Sequence, residues 1–404
     1  MLSKNVKNVI LAFVGFTTFI PVQFIGLLRV GEITLLFFFL LSIINVIEII
    51  RTEKIVRLIT VLFVLSIVVS LFSSFLFNNG SEAILKGVAN YLFMYTSLFS
   101  MYILIKNNEN GLLVYFLALS LGSTFYNPYL TIRSEYDLDR VYGTVSYFDI
   151  LVAPVVTPLL LGLSFLKFKF SKYVFWGLFL SYGVIAVLNE ARSVGFIFLL
   201  ASLAFLVKNI NAVPSLNKLR LIILFSPLII IPLFIFFVKN GLVGKESSQY
   251  TESLMKRTKT FNPFLLVGRP DPIVGLIAFY DKPLTGHGYN SDNPKYIFMA
   301  KVAGLLPKNF EFEHVGLIPS HSVLVNGMVE GGILCSFLWI FILGIGIKGF
   351  WLVSKIKFTN YTFFALYAFF SLFWNILFSP AGYARFGMPS ELSIIILVLY
   401  KFRT

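Results

Sequence analysis

The sequence predicts an all-α polytopic membrane protein with about twelve transmembrane helices and one large outer loop that contains short amphipathic helices. Three observations predict it. The chain of 404 residues is 57% hydrophobic and only 13% charged, with a mean hydropathy of +0.85. That charge content is roughly half of what covers an ordinary soluble domain. Apolar runs of about 15–25 residues recur between short polar breaks, the length at which a helix crosses the hydrocarbon layer. The runs do not alternate apolar with polar residues, as the strands of a membrane β-barrel would.

The spans follow in chain order. Lys4 and Lys7 precede a first apolar run, 9–28, in which Pro21 predicts a kink or an early end. That run lacks a small-residue cleavage pattern and leads at once into more spans, so it reads as a retained helix rather than a removed signal peptide. Runs at 33–50, 58–77, 84–105 and 112–125 come next, separated by the basic segment 51–57, the uncharged turn 78–81 and the polar turn 106–111. A polar segment covers 126–149. The sixth span, 150–166, contains Pro154 and Pro158. After the three lysines of 167–172 come spans at 173–188 and 194–207, joined by the turn 189–193, and then a ninth at 221–238. The excursion 239–320 separates the ninth span from the tenth, 322–350. Spans at 361–378 and 388–400, joined by the turn 379–387, complete the series. The whole of 1–404 is read as a single transmembrane domain with 239–320 as its loop or lid.

A net charge of +14 would suggest nucleic acid in a soluble protein. Here the lysines and arginines sit in short loops, where they set orientation and meet anionic head groups, so no nucleic-acid partner is expected. The breaks at 51–57, 106, 167–172, 208–220, 348–357 and 401–403 are the lysine-rich set, which predicts that they and both termini face the cytoplasm. The breaks at 29, 78–81, 126–149, 189–193, 239–320 and 379–387 then face outward. The single cysteine, Cys335, lies within an apolar run and reads as a small core residue. The three histidines lack metal-ligand spacing, and the chain has neither a phosphate-binding glycine loop ending in lysine nor a dinucleotide fingerprint.

The chemistry concentrates on the outer side. Arginine is costly in a span and must face protein or water, and its planar fork binds phosphate bidentately without losing charge. Arg192 stands in a turn of a few residues beside Glu190, where it reads either as an interfacial ion pair or as an anion clamp. Arg269 lies in GRPDP (268–272). The prolines predict a helix starting after them over 272–280, with Ile273, Leu276, Ile277 and Tyr280 on one face and an N-terminus that attracts anions. His321 lies where the chain re-enters the membrane, a position for an imidazole that accepts a proton near neutral pH. His287, between two glycines, marks a special backbone conformation as much as a ligand. His314 reads as a surface residue.

Four stretches carry a resemblance: LNEARSVGF (188–196), GRPDPIVGLIAFYDKPLTGHG (268–288), SHSVLVNGMVEGGI (320–333) and DRVYGTVSYFD (139–149). In order and sidedness they are similar to the O-antigen polymerase and O-antigen ligase superfamily of bacterial envelope glycosyltransferases, whose architecture also covers the whole chain. The resemblance implies an inner-membrane enzyme with its site and its large loop on the periplasmic side. It implies a donor glycan on undecaprenyl pyrophosphate, Arg192 and Arg269 as the pyrophosphate clamp, and His321 as the general base for an acceptor hydroxyl. Arg140, His287, Tyr289, Glu330 and Arg385 are the further substrate contacts it implies. The bond energy resides in the sugar–pyrophosphate linkage, so no cofactor is expected, and direct displacement would invert the anomeric centre. The implied partners are the lipid-linked oligosaccharide, the bilayer and a chain-length regulator protein. A Phe-, Ile-, Lys- and Asn-rich composition favours a polymerase over a ligase, which would use a lipid A core acceptor. A lipid-linked-oligosaccharide flippase would show charges inside several spans and a two-fold repeat.

Overall fold

Ser3 accepts a hydrogen bond from the Val6 N–H and starts α1 (Lys4–Thr17). The helix ends short of Pro21, which cannot continue one. β-branched Thr17, Thr18, Ile20 and Val22 crowd the same stretch and favour extended backbone. Pro21 opens β1 (Pro21–Phe24), which pairs antiparallel with β2 (Gly26–Arg29), Pro21 opposite Arg29. This corrects the single span expected at 9–28 and adds a hairpin to an otherwise helical fold. The 14 residues of α1 cover about 21 Å, less than the roughly 30 Å hydrocarbon layer.

The computed structural model describes residues 2–24, 26–108, 110–126, 148, 152–165, 172–189, 191–209, 271–302, 318, 320, 322–355, 362–379 and 381–401. The expected ninth span, 221–238, lies outside these residues. The remaining elements are α2 (Val30–Leu41), α3 (Ile43–Thr52), α4 (Lys54–Leu76), α5 (Ser81–Ile105), α6 (Gly111–Phe125), α7 (Ala153–Leu163), α8 (Lys172–Leu188), α9 (Arg192–Asn209), α10 (Asp271–Asp281), α11 (Pro294–Val302), α12 (Val323–Lys355), α13 (Thr362–Phe378) and α14 (Ala381–Lys401).

The expectation of about twelve spans is met in part. Among the described residues, α4, α5 and α12 are long and apolar enough to cross a membrane, and α2 with α3 would make a fourth. Shorter apolar helices occupy several of the other expected positions. The fold is that of a mostly helical protein consistent with a membrane location. The run 33–50 is not one straight span, because α2 and α3 meet at 76°. Ser42 sits at the corner and donates its hydroxyl to Phe38 O at 2.6 Å, the back-bonding by which serine bends a helix. The expected turn 379–387 is also corrected, since α14 already begins at Ala381.

Several polar groups in the helical body bond to neighbouring helices, as an apolar surrounding favours. Pro158 lies inside α7 and has no N–H to give to Pro154 O four residues earlier. Ser123 of α6 donates to that carbonyl instead, at 2.8 Å. Close packing replaces side chains elsewhere. A Cβ on Gly122 would come within 2.2 Å of Phe16 O, so α1 and α6 touch backbone to backbone. α5 is the central helix. Ser100 donates to Leu35 O of α2, and Ser393 of α14 donates to Leu98 O.

The contacts also sort the connections into two groups. At one end Lys7 donates to Ile103 O, Lys106 pairs with Glu53 at 2.7 Å, Tyr400 accepts from Ile55 N–H and Lys208 reaches Val353 O. All of these belong to, or border, breaks in the lysine-rich set. Elsewhere Asn79 bonds to segment 287–289 and Arg385 to Glu32, all within or beside the opposite set. These bonds join breaks of the same set.

Candidate functional site

α12 is broken where two glycines follow Glu330. Gly331 has φ −138° and Gly332 has φ +65° and ψ −154°, the latter being backbone that only glycine adopts without strain. The expected tenth span is therefore a short N-terminal helix and a longer C-terminal one. The loop segment after α10 closes this break. Pro283 O accepts from Ile333 N–H, while His287 N–H and Gly288 N–H donate to Val329 O and Glu330 O. Gly286 and Gly288 are both at positive φ. A Cβ on Gly286 would sit 2.6 Å from Gly332 N and Val329 O.

The same segment is tied to the turn between α4 and α5. Asn79 Nδ2 donates to His287 O at 3.0 Å and to Tyr289 O at 3.1 Å. Ser74 Oγ accepts from Tyr289 N–H, and Ser73 Oγ donates to Thr285 O. The glycine-histidine-glycine signal in the sequence thus marks a backbone clasp joining the loop, the break in α12 and the outer end of α4.

His287 is buried, and its Nε2 lies 2.9 Å from Ala278 O of α10, with the Tyr296 ring set edge-on at 5.1 Å. Burial, more than any charged neighbour, pushes its pKa below the usual histidine value. The imidazole is thereby held neutral and pins α10 to the clasp. Asp281 at the end of α10 receives the Tyr296 hydroxyl and the Lys295 ammonium. The Tyr296 hydrogen bond, followed by Lys295, holds its carboxyl below the usual range.

Tyr289 is fully buried and packs on Tyr91 at 6.0 Å. A Cβ on Gly87 would strike the Tyr289 ring at 2.1 Å, so α5 is shaped to receive it. Tyr91 donates its hydroxyl to Glu330 Oε2 at 3.1 Å. The structure therefore brings together three residues the sequence singled out, His287, Tyr289 and Glu330, around the break in α12. Cys335 lies beneath them, fully buried and 3.2 Å from Ser70 Oγ, the small core residue expected.

Arg385 is placed elsewhere. It is buried in α14, with Nε 2.6 Å from Glu32 Oε1 and Nη1 donating to Asn90 Oδ1 at 2.6 Å. Arg29 joins through its N–H to Glu32 Oε2, and its guanidinium lies over the Phe386 ring at 3.5 Å. Two arginines on one carboxylate leave this cluster net positive when Glu32 is ionised. It borders a cleft lined by Glu32, Ser97, Tyr115, Arg385 and Phe386. Adjacent residues of α5 link the two groups, Asn90 serving Arg385 and Tyr91 serving Glu330.

Arg140, Arg269 and His321 lie outside the described residues, as do His314, Glu190 and the side chain of Arg192, at which α9 opens. The helix expected over 272–280 is present as α10, but its buried face is different from the expected one. Val274 and Ala278 are fully buried, whereas Leu276 is 46% and Tyr280 88% exposed. The smaller residues, four apart, allow α10 close to α12, and the larger ones are turned away. Sequence reasoning missed Glu32, Asn90, Tyr91 and Asn79. The signal for Glu32 was its position three residues after Arg29 at the mouth of an apolar run, where an acid caps a helix. For the other three no pattern along the chain marks a partner that lies hundreds of residues away.

These elements define a helical, apolar protein in which the segment after α10 is clasped into a broken apolar helix. No family model matches the chain, and no curated protein matches it.

Proposed function

We propose that the chain is a metal-independent, inverting glycosyltransferase of the O-antigen polymerase kind. It acts at the periplasmic face of the bacterial inner membrane. Its donor is a glycan on undecaprenyl pyrophosphate, and its acceptor is a hydroxyl of another lipid-linked repeat unit. The acceptor oxygen attacks the anomeric carbon while its proton passes to the His321 imidazole. The bond from that carbon to the pyrophosphate oxygen breaks on the opposite face. The pyrophosphate leaves with the bonding electrons, and Arg192 and Arg269 hold its charge.

The observation that carries this reading is the pairing of α10 with the outer half of α12. These helices begin two residues after Arg269 and two residues after His321 respectively. Val274 and Ala278 of α10 share one apolar cluster with Ile318, Val325 and Val329. The His287 ring holds Ala278 O while its backbone N–H holds Val329 O. The two helices thus pack on each other, an arrangement suited to a phosphate clamp and a base acting on one sugar.

The test replaces His321 with Ala in cells that display the polysaccharide, with membrane levels of the protein measured in parallel. Loss of a general base lowers turnover by about 10²–10⁴-fold. Loss of the ladder with one repeat unit still attached to the lipid A core supports the polymerase reading. Loss of all attached glycan points to the ligase acceptor instead, and a normal ladder overturns the assignment of His321.

A further inference from the structure

We infer that the lid helix α10 is seated in the outer leaflet of the bilayer, with Leu276, Tyr280 and Leu284 embedded at head-group depth. These residues follow one another at intervals of four. Leu276 and Tyr280 share one face of α10 and Leu284 stands in the turn that follows its end, and they are 46%, 88% and 73% exposed. Each is a large apolar or amphipathic side chain in a segment that lies outside the expected spans. A row of this kind on a water-facing loop would be costly, and an aromatic hydroxyl beside leucines suits the membrane interface.

The row does not end in water. Pro283 O accepts from Ile333 N–H at 2.8 Å, and a Cβ on Gly332 would lie 2.5 Å from Leu284 O. Leu284 therefore stands directly at the outer end of the exposed face of α12, which Ile333, Phe337 and Ile340 continue down the helix. α12 is one of the helices long and apolar enough to cross a membrane, so that face meets lipid. The row of α10 extends the same surface past the break at Gly331 and Gly332.

The flanking charges fit the same seat. The Lys282 ammonium lies over the Phe77 ring at 3.3 Å, at the outer end of α4, and Lys295 stands half-exposed beside Asp281. Lysines with apolar stems next to a buried apolar face are the pattern of helices that lie in anionic interfaces. The clasp to Asn79, Ser73 and Ser74 holds the segment at that level. An amphipathic substrate would then meet the lid from within the bilayer. The seating depends on the chain being in a membrane, and the choice of leaflet on the orientation expected from the lysine count, whatever reaction the chain performs.

The single native cysteine is fully buried, so the unsubstituted chain serves as the unlabelled control. An environment-sensitive fluorophore is attached to Leu284→Cys, to Tyr280→Cys and, as the exposed polar reference, to Asp292→Cys, each in the full chain reconstituted into phosphatidylethanolamine–phosphatidylglycerol vesicles. Lipids carrying a nitroxide on the upper acyl chain should remove about half of the emission at 280 and 284 and little at 292, while aqueous iodide shows the reverse order. Iodide quenching at 280 and 284 equal to that at 292 would place the row in water and overturn the proposal. Protection from both quenchers would mean that protein, such as a second copy of the chain, covers the row, and would overturn it as well.

Discussion

Arg385 and Glu32 come from opposite parts of the chain and are both nearly inaccessible, at 6% and 5% exposure. A buried ion pair adds little over well-packed apolar residues, yet removing one partner strands a charge at about 3–5 kcal/mol. Arg385→Ala is therefore expected to lower stability by that amount, with Glu32 left facing only the Arg29 backbone N–H and the remaining positive neighbours. The paired change Arg385→Met with Glu32→Gln should recover most of the loss. Thermal unfolding of detergent-purified protein measures both. Equal losses in the single and double variants would show that packing, not charge, makes the pair matter. Arg385 was visible in the sequence as an arginine on the sparsely basic side. Its partner was not, because a pairing across most of the chain leaves no local pattern. The same limit hid Tyr91 behind Glu330 and Asn79 behind His287.

At the scale of elements, apolar periodicity located most helices within a few residues, because length and hydropathy are properties of the run itself. It failed where backbone chemistry interrupts a run without changing its hydropathy. The corner at Ser42, the hairpin after Pro21 and the break at Gly331 and Gly332 all lie within stretches that remain apolar. The face of α10 was misjudged for a related reason. Amphipathicity ranks residues by polarity, but proximity to α12 selected the small Val274 and Ala278 over the larger Leu276 and Tyr280. The glycines of the clasp were legible as special backbone, and the structure shows what they permit. Gly286 has φ +67° and a Cβ there would lie 2.6 Å from Gly332 N. Gly286→Ala should therefore release the clasp, combining left-handed strain of about 1–3 kcal/mol with a steric clash. Limited proteolysis of membranes should cut the variant between 281 and 292 much faster than the parent chain. Unchanged cleavage would mean that the tie to Asn79 alone holds the segment.

For the molecule as a whole, sidedness is an expectation that depends on a count of lysines in short breaks and not on any one contact. Breaks of one set bond among themselves: Lys7 with Ile103 and Lys106 with Glu53 in the lysine-rich set, Asn79 with His287 and Arg385 with Glu32 in the other. Arg192, Arg269 and His321 stand out through local motifs alone, and a local motif does not encode which helices pack together; among the described residues α10 packs on α12, while α9 packs on α8 and α13. Orientation has a clean test, because α4 alone separates the end of α3 from the start of α5. Thr52 and Glu82 are both exposed, so cysteines at these positions are accessible from whichever side they face, and buried Cys335 contributes no background. In intact cells with a permeable outer envelope, a membrane-impermeant maleimide should label Glu82→Cys and spare Thr52→Cys until the membrane is opened. Labelling of Thr52→Cys alone would invert the orientation and put the loop, the clasp and the proposed site in the cytoplasm, where a periplasmic polymerase could not work. Labelling of both in intact cells would show that α4 does not cross the membrane.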